Sequence, residues 1–370
     1  MKKRYLVDQA VRDMKSKMVL ISGPRQVGKT TLALSILKNK SSYLNWDIPA
    51  HRQAILRREL PLERQWCFDE IHKYKGWRNY LKGLYDEFHH NHDILVTGSA
   101  RLDMLRKSGD SLQGRYHHLR LHPLSVKELG IGNQKDFFTL LQLGGFPEPY
   151  FSASKIEAKR WTTQYRSLLV NQESPAIETI SDLGKLELLS LRLPELVGSP
   201  LSINGLREDL QVAHKTVSRW LTILENVYMF FRIPPFGSPL VRAVKKEQKH
   251  YHFDWTLVPD KAAQFENLIA SHLLKWVHYQ RDAFGEELEL RYFRDTDRRE
   301  VDFCIVNRLK PQMFVECKWS EGSTSPHLHY LRKKFPDAQY YQINATGNRE
   351  YITKRKIMHM PAVSFLQQFV

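Results

Sequence analysis

Eight consecutive residues, Gly23-Pro24-Arg25-Gln26-Val27-Gly28-Lys29-Thr30, carry the pattern G-x-x-x-x-G-K-S/T. The chemistry of that spacing is anion capture. A loop of this length turns its backbone N–H groups inward around phosphates, and glycines permit the close approach. Lys29 places a point charge on the β- and γ-phosphates, and the Thr30 hydroxyl is placed to hold Mg2+. Thr31 continues into a helix whose N-terminal dipole faces the anion. ATP with Mg2+ is the expected cofactor; the residues do not themselves choose between ATP and GTP, although no guanine-reading Asn-Lys-x-Asp motif is apparent.

A second acidic motif follows at Trp66-Cys67-Phe68-Asp69-Glu70. An apolar run ending in Asp69 is placed to bind the metal through its water shell, and Glu70 to orient or deprotonate the attacking water. The run Ile94-Leu95-Val96-Thr97-Gly98-Ser99 ends in hydroxyls, so Thr97 or Ser99 is a candidate sensor of the γ-phosphate. Arg115, just before another strand, is the candidate arginine finger.

Carboxylates of a different kind occur near the C-terminus. Asp302 sits inside the apolar run Val301–Val306, and Glu316 and Lys318 sit at i and i+2 on Met313–Lys318, one face of a strand. A carboxylate inside an apolar strand is expensive without a partner such as a metal. Asp302 and Glu316, joined by Glu266 from a preceding helix, are candidate Mg2+ ligands, with Lys318 positioning water for attack on a phosphodiester.

The elements that must hold these residues can be read from the hydrophobic pattern. Strands are expected at Met18–Ile21, Tyr43–Asn45, Trp66–Asp69, Ile94–Thr97 and Tyr116–Leu121, with helices at Thr30–Leu37 and Lys75–Phe88. That alternation predicts an α/β domain with a parallel sheet over residues 1–145. Gly144-Gly145-Phe146-Pro147-Glu148-Pro149 reads as its boundary, and a helical connector spans 146–200. Over 201–240 a short capped helix, a turn and a helix with Val217, Trp220, Leu221 and Leu224 on one face predict a winged-helix-like module. Its second helix offers Lys215, Ser218, Arg219 and Thr222 to a DNA groove or to a protein. Residues 241–370 form a C-terminal α/β domain, with a helix near Phe265–Tyr279 and strands near Leu288–Phe293, Val301–Val306 and Met313–Lys318.

Composition sets limits. The 370 residues suit two or three domains. No apolar run is long enough to span a membrane, no signal peptide is evident, and Cys67, Cys304 and Cys317 read as buried thiols, so a cytoplasmic protein is expected. The net charge of +16 divides as +10 over residues 1–150, +1 over 151–240 and +5 over 241–370. A basic excess suits nucleic acid or a solvated surface. The His89-His90-Asn91-His92 run, the strand histidines His117 and His118, and the charged stretch Lys245–Lys249 read as polar or solvated, and Trp161, Trp255 and Trp276 as core or interface aromatics.

The motifs GPRQVGKTT, FDEIHK, TGSA, LQGRYHHLRLHPLSVKEL and GGFPEP resemble the AAA+-like P-loop ATPases fused to a DUF4143 domain. The resemblance implies a P-loop NTPase sheet followed by a second half of restriction-endonuclease-like fold. The Asp302, Glu316 and Lys318 pattern is itself similar to the PD-(D/E)xK nucleases, although Val301 stands where that pattern carries proline. The expected function is Mg-dependent ATP hydrolysis coupled to DNA binding or processing, in a homo-oligomer. The alternative is a nucleotide-dependent protein-interaction switch whose nuclease-like domain is a silent scaffold.

Overall fold

The computed structural model describes residues 2–98, 112–171, 182–237 and 248–370. Ser99 lies outside the described residues. The chain divides into two compact units, Met1–His122 with Asp282–Phe284, and Pro123–Arg281 with Gly285–Val370.

In the first unit, apolar runs without alternation form strands covered on both faces. These are β1 (Met18–Ser22), β3 (Gln65–Asp69) and β4 (Asp93–Thr97), flanked by β2 (Tyr43–Asn45) and β5 (Tyr116–Arg120). All neighbours are parallel, in the order β2-β3-β4-β1-β5. Among the described residues four helices accompany them: α1 (Val7–Asp13), α2 (Lys29–Ile36), α3 (Pro49–Arg57) and α4 (Trp77–Phe88). α3 starts on a proline, whose missing N–H falls where a helix has no partner to offer. Leu20, Phe68 and Val96 of the sheet form one core with Trp77, Leu81 and Leu84 of α4. Because β4 lies between β1 and β3, their C-terminal ends adjoin, the place where parallel sheets carry sites.

The second unit begins with helices α5 (Val126–Leu129), α6 (Gln134–Leu143), α7 (Pro147–Phe151), α8 (Lys155–Asn171) and α9 (Leu183–Arg192). Gly144-Gly145-Phe146-Pro147 is packed rather than loose. Phe146 is fully buried, and the Gly145 carbonyl accepts from Leu124 N–H at 2.7 Å. The break between the units falls upstream, at His122. Helices α10 (Ile203–Leu210) and α11 (His214–Asn226) follow, then an antiparallel pair, β6 (Phe230–Ile233) and β7 (Lys249–His252). Ser202 caps α10 by accepting from Gly205 N–H at 3.2 Å. Val217, Trp220, Leu221 and Leu224 of α11 are buried, while Lys215, Arg219 and Thr222 face solvent.

A long helix, α12 (Lys261–Phe284), precedes β8 (Leu288–Arg294), β9 (Glu300–Asn307) and β10 (Lys310–Lys318), an antiparallel meander. Helix α13 (Pro326–Lys334) carries the chain to β11 (Gln339–Asn344), parallel to β10. β12 (Tyr351–Ile352), β13 (Met358–Pro361) and α14 (Ala362–Leu366) complete a six-stranded sheet of order β12-β13-β11-β10-β9-β8. Cys67 and Cys304 are buried as expected, whereas Cys317 is partly exposed; all three are free. Among the described residues no helix is long and apolar enough to cross a membrane.

Three buried histidines in this unit are neutral. Val126 N–H donates to His272 Nε2 at 3.1 Å, so its proton sits on Nδ1, which donates to Leu268 O at 2.8 Å. Burial pulls His272 and His250 down to about 4 and His252 to about 3. A folded pKa below the unfolded value means that the unfolded chain takes up protons first. Their contribution is complete above about pH 6.5 and is lost as pH falls toward 4. The carboxyls of Asp254, Glu266 and Glu316, pushed up by burial, act in the opposite sense. A His272→Gln variant isolates the histidine term. Urea unfolding should show the wild type losing about 2 kcal/mol more than the variant between neutral pH and about pH 5. Equal losses would show that His272 titrates as an ordinary imidazole.

Candidate functional site

The loop of residues 23–28 joins β1 to α2. Gly23 has φ +150°, and a Cβ there would stand 2.2 Å from the Leu121 carbonyl oxygen, so only glycine passes. Gly28, at φ 98°, makes the left-handed turn into α2. Lys29 is buried and curls onto its own loop, donating to the carbonyls of Gly23 at 2.9 Å and Pro24 at 2.7 Å. Arg4, which sequence reasoning missed, pins the loop from outside. It donates to Val27 O at 2.6 Å and to His122 O. Nothing in its sequence context marks it, because the arginine lies in a segment with no motif of its own.

The second and third motifs meet this loop. Asp69 is 2% exposed. Its Oδ2 accepts from the Thr30 hydroxyl at 2.8 Å and from the Tyr43 hydroxyl at 2.5 Å, and its Oδ1 accepts from Thr97 Oγ1 at 2.6 Å. Asn45 Nδ2 donates to the Tyr43 hydroxyl at 3.0 Å. Tyr43 was visible in the sequence only as a strand residue. Burial, then the hydrogen bond to Asp69, pushes its phenol up. Glu70 leaves the strand with φ 57°, its N–H held by Thr97 O at 2.9 Å. Its carboxylate lies 3.4 Å from Lys73 Nζ and 3.6 Å from His72 Nε2. Burial pushes Glu70 up, although Lys73 and Lys29 work against it. The donors present fit Mg2+ held with a triphosphate. They are a hydroxyl and a buried carboxylate in contact at the mouth of a loop that admits only glycine at position 23.

Arg115 is not brought to this site. Its backbone carbonyl accepts from Met18 N–H, at the N-terminal end of β1, whereas the loop leaves the C-terminal end. Its guanidinium is paired with Asp86 at 2.7 Å. Strand register, invisible in the sequence, puts it at the wrong edge of the sheet to serve the loop of its own chain.

The second set of candidates lies in the second unit. Lys318 Nζ is 2.7 Å from Glu316 on the shared strand face. Asp302 Oδ2 accepts from Cys317 N–H at 2.8 Å, tying β9 to β10. Burial, then the Asp302 charge, pushes Glu316 up to about 7 and Glu266 to about 8. The expected metal set of Asp302, Glu316 and Glu266 is not found. Among the described residues no three His, Cys, Asp or Glu side chains are arranged to hold a metal ion. Lys249 stands beside two of the three, Glu266 and Asp302. Expected to be solvated, it is 1% exposed, with Nζ 2.7 Å from Glu300, 3.5 Å from Glu266 and 3.7 Å from Asp302. Burial alone would pull this lysine down; the three carboxylates outweigh that and hold it above the ordinary lysine value.

Residues 15–130 match the family model of the AAA domain, 134–266 that of a domain of unknown function, DUF8612, and 261–363 that of another, DUF4143. An uncharacterized protein of Haemophilus influenzae is 23% identical over 338 residues, covering 80% of this chain and 81% of that one. An uncharacterized protein of Mycobacterium tuberculosis is 24% identical over 366 residues, covering 95% and 81%. Among solved structures, RuvB of Thermotoga maritima is 22% identical over 62% of this chain and 87% of that one, with a TM-score of 0.29.

The glycine requirement is directly testable. Gly23→Ala sets a Cβ against backbone, which costs about 2 kcal/mol through local displacement. Its thermal midpoint should fall, and fluorescent ATP analogues should bind at least about tenfold more weakly, as a displacement of about that energy implies. Unchanged binding would show that the loop does not form the cradle. The part of the chain that holds this loop is thus similar to AAA domains over residues 15–130, and residues 261–363 are similar to DUF4143 domains.

Proposed function

We propose that the chain hydrolyses ATP with Mg2+ in the first unit and couples that turnover to DNA binding through α11. The observation that carries the first half is the meeting of three motifs on one carboxylate, with Thr30, Thr97 and Asp69 in direct contact. Mg2+ bound there would neutralise charge on the triphosphate. Lys29 leaves the Gly23 and Pro24 carbonyls to meet the phosphates, an exchange of neutral acceptors for anionic ones. Glu70 takes the proton of the attacking water, and Thr97 holds the Glu70 backbone through its carbonyl. The raised pKa of Glu70 makes it a stronger base than an ordinary carboxylate, and one that is lost at a higher pH.

Lys29→Ala should abolish ATP binding. Glu70→Gln should keep binding and lose about 10²–10⁴ in kcat, the usual range for a proton-transfer group. The wild-type rate should fall on the acid side above the usual carboxylate range, with that limb missing in Glu70→Gln. A Glu70→Gln enzyme with normal kcat would remove the assignment. An oligomer is part of the proposal, since Arg115 cannot serve its own loop and a finger would have to come from a neighbouring copy.

For DNA, support comes from α11, whose exposed face carries Lys215 and Arg219 opposite a buried apolar face, beside the β6–β7 pair that a winged helix requires. Replacing both by glutamate should weaken duplex binding and reduce the slope of log affinity against log salt by about 2, one for each phosphate no longer neutralised. An unchanged slope would leave α11 without a nucleic-acid role. The meander β8–β10 between α12 and α13, with β11 parallel to β10, supports reading the C-terminal domain as nuclease-like. A second reading, in which that domain is a silent scaffold, is favoured by Lys249 lying among its carboxylates.

A further inference from the structure

We infer that Lys249 is the resident cation of the C-terminal carboxylate cluster: its ammonium holds the position that a divalent ion would need, so the wild-type domain takes no metal there. The inference rests on the silent-scaffold reading above and goes beyond it by naming what silences the site.

The geometry that supports it starts with β7. Lys249 and Tyr251, at i and i+2, project to one face of that strand. The Tyr251 hydroxyl donates to Glu266 Oε1 at 2.6 Å, and Lys249 Nζ approaches the same oxygen at 3.5 Å. From the other side, β9 offers Glu300 and Asp302, again at i and i+2, at 2.7 and 3.7 Å from the ammonium. Carboxylates of α12 and β9 therefore converge on one point, and that point carries a positive charge supplied by the chain.

The surrounding contacts leave little for another ion. Asp302 Oδ2 is engaged by Cys317 N–H, and Glu266 Oε1 is shared between Tyr251 and Lys249. Gly198, at φ +81°, lies beside this carboxylate: a Cβ there would stand 3.3 Å from Oε2 and 3.4 Å from Oε1 of Glu266. Above the ammonium, the Tyr292 ring centroid is 5.6 Å away. The ammonium is 1% exposed, and a divalent ion would have to displace it against a charge-assisted hydrogen bond to Glu300. Glu316, on β10, keeps one buried oxygen without a hydrogen-bond partner, and its other oxygen pairs with Lys318.

Mn2+ binding by the nucleotide-free full chain, followed by electron paramagnetic resonance, tests this. Wild type and Lys249→Arg should show no Mn2+ binding that Asp302→Asn abolishes. Lys249→Ala should gain a site at least about tenfold tighter than any in wild type. That site should vanish in Lys249→Ala/Asp302→Asn, and Mn2+ should raise the Lys249→Ala thermal midpoint. Wild-type Mn2+ binding that disappears in Asp302→Asn would overturn the inference, even if the protein cuts no DNA and the silent reading stands. A folded Lys249→Ala without a new site would overturn it as well. Should Lys249→Ala not fold, the comparison of wild type with Asp302→Asn still decides.

Discussion

A carboxylate that is 2% exposed persists only if its lone pairs are engaged, and the first unit is arranged around meeting that demand at Asp69. Three hydroxyls from three different elements do so: Thr30 from α2, Tyr43 from β2 and Thr97 from β4. The consequence is mutual. The strand order that places β4 between β1 and β3 is what lets Thr97 reach across, and the hydrogen bonds in turn hold the ends of β2, β3 and β4 and the start of α2 in register. Hydroxyl donors leave the carboxylate its full negative charge. Each can also rotate about its C–O bond, so Thr30 can turn a lone pair toward an incoming cation while its carbon atoms stay in place.

The second unit solves a similar problem by the opposite means. Its carboxylates at Glu266, Glu300 and Asp302 are satisfied chiefly by charge, through an ammonium that is 1% exposed. Removing one hydroxyl donor from Asp69 would cost one neutral hydrogen bond, roughly 1 kcal/mol. Removing a buried charge from among carboxylates leaves like charges facing each other, roughly 3–5 kcal/mol. One site is therefore built to exchange its partners and the other to keep them. That difference follows from the donor types alone.

How much of this was legible in the residues follows the same line between local and non-local. The loop at 23–30, the acidic pair at 69 and 70 and the five strands of the first sheet are encoded in short windows, and the strands appear within a residue or so of where the apolar runs place them. The face shared by Glu316 and Lys318 was legible because it depends only on the two-residue period of a strand. That Arg115 lies away from the loop of its own chain was not legible, because its position depends on how β5 registers against β1, and no window contains that pairing. Lys249 was misjudged for a sharper reason. Lysine-rich stretches are solvated in most chains, so Lys245–Lys249 looked like surface. The partners that bury Lys249 lie 17, 51 and 53 residues further on, at Glu266, Glu300 and Asp302.

Tyr43 and Arg4 make the same point from within the first unit. Both sit outside every motif, and both act on motif residues only after the sheet has closed, Tyr43 on Asp69 and Arg4 on Val27. Reading a phosphate loop from its pattern finds the atoms that touch the ligand. It does not find what holds that loop open. A loop with glycines at both ends has no stiffness of its own, and its shape must be imposed by neighbours. Here the Leu121 carbonyl packs against Gly23 from one side, and the Arg4 guanidinium ties the Val27 and His122 carbonyls together from another. The cradle is thus a property of the closed sheet and its N-terminal segment, while the motif supplies only the residues able to line it.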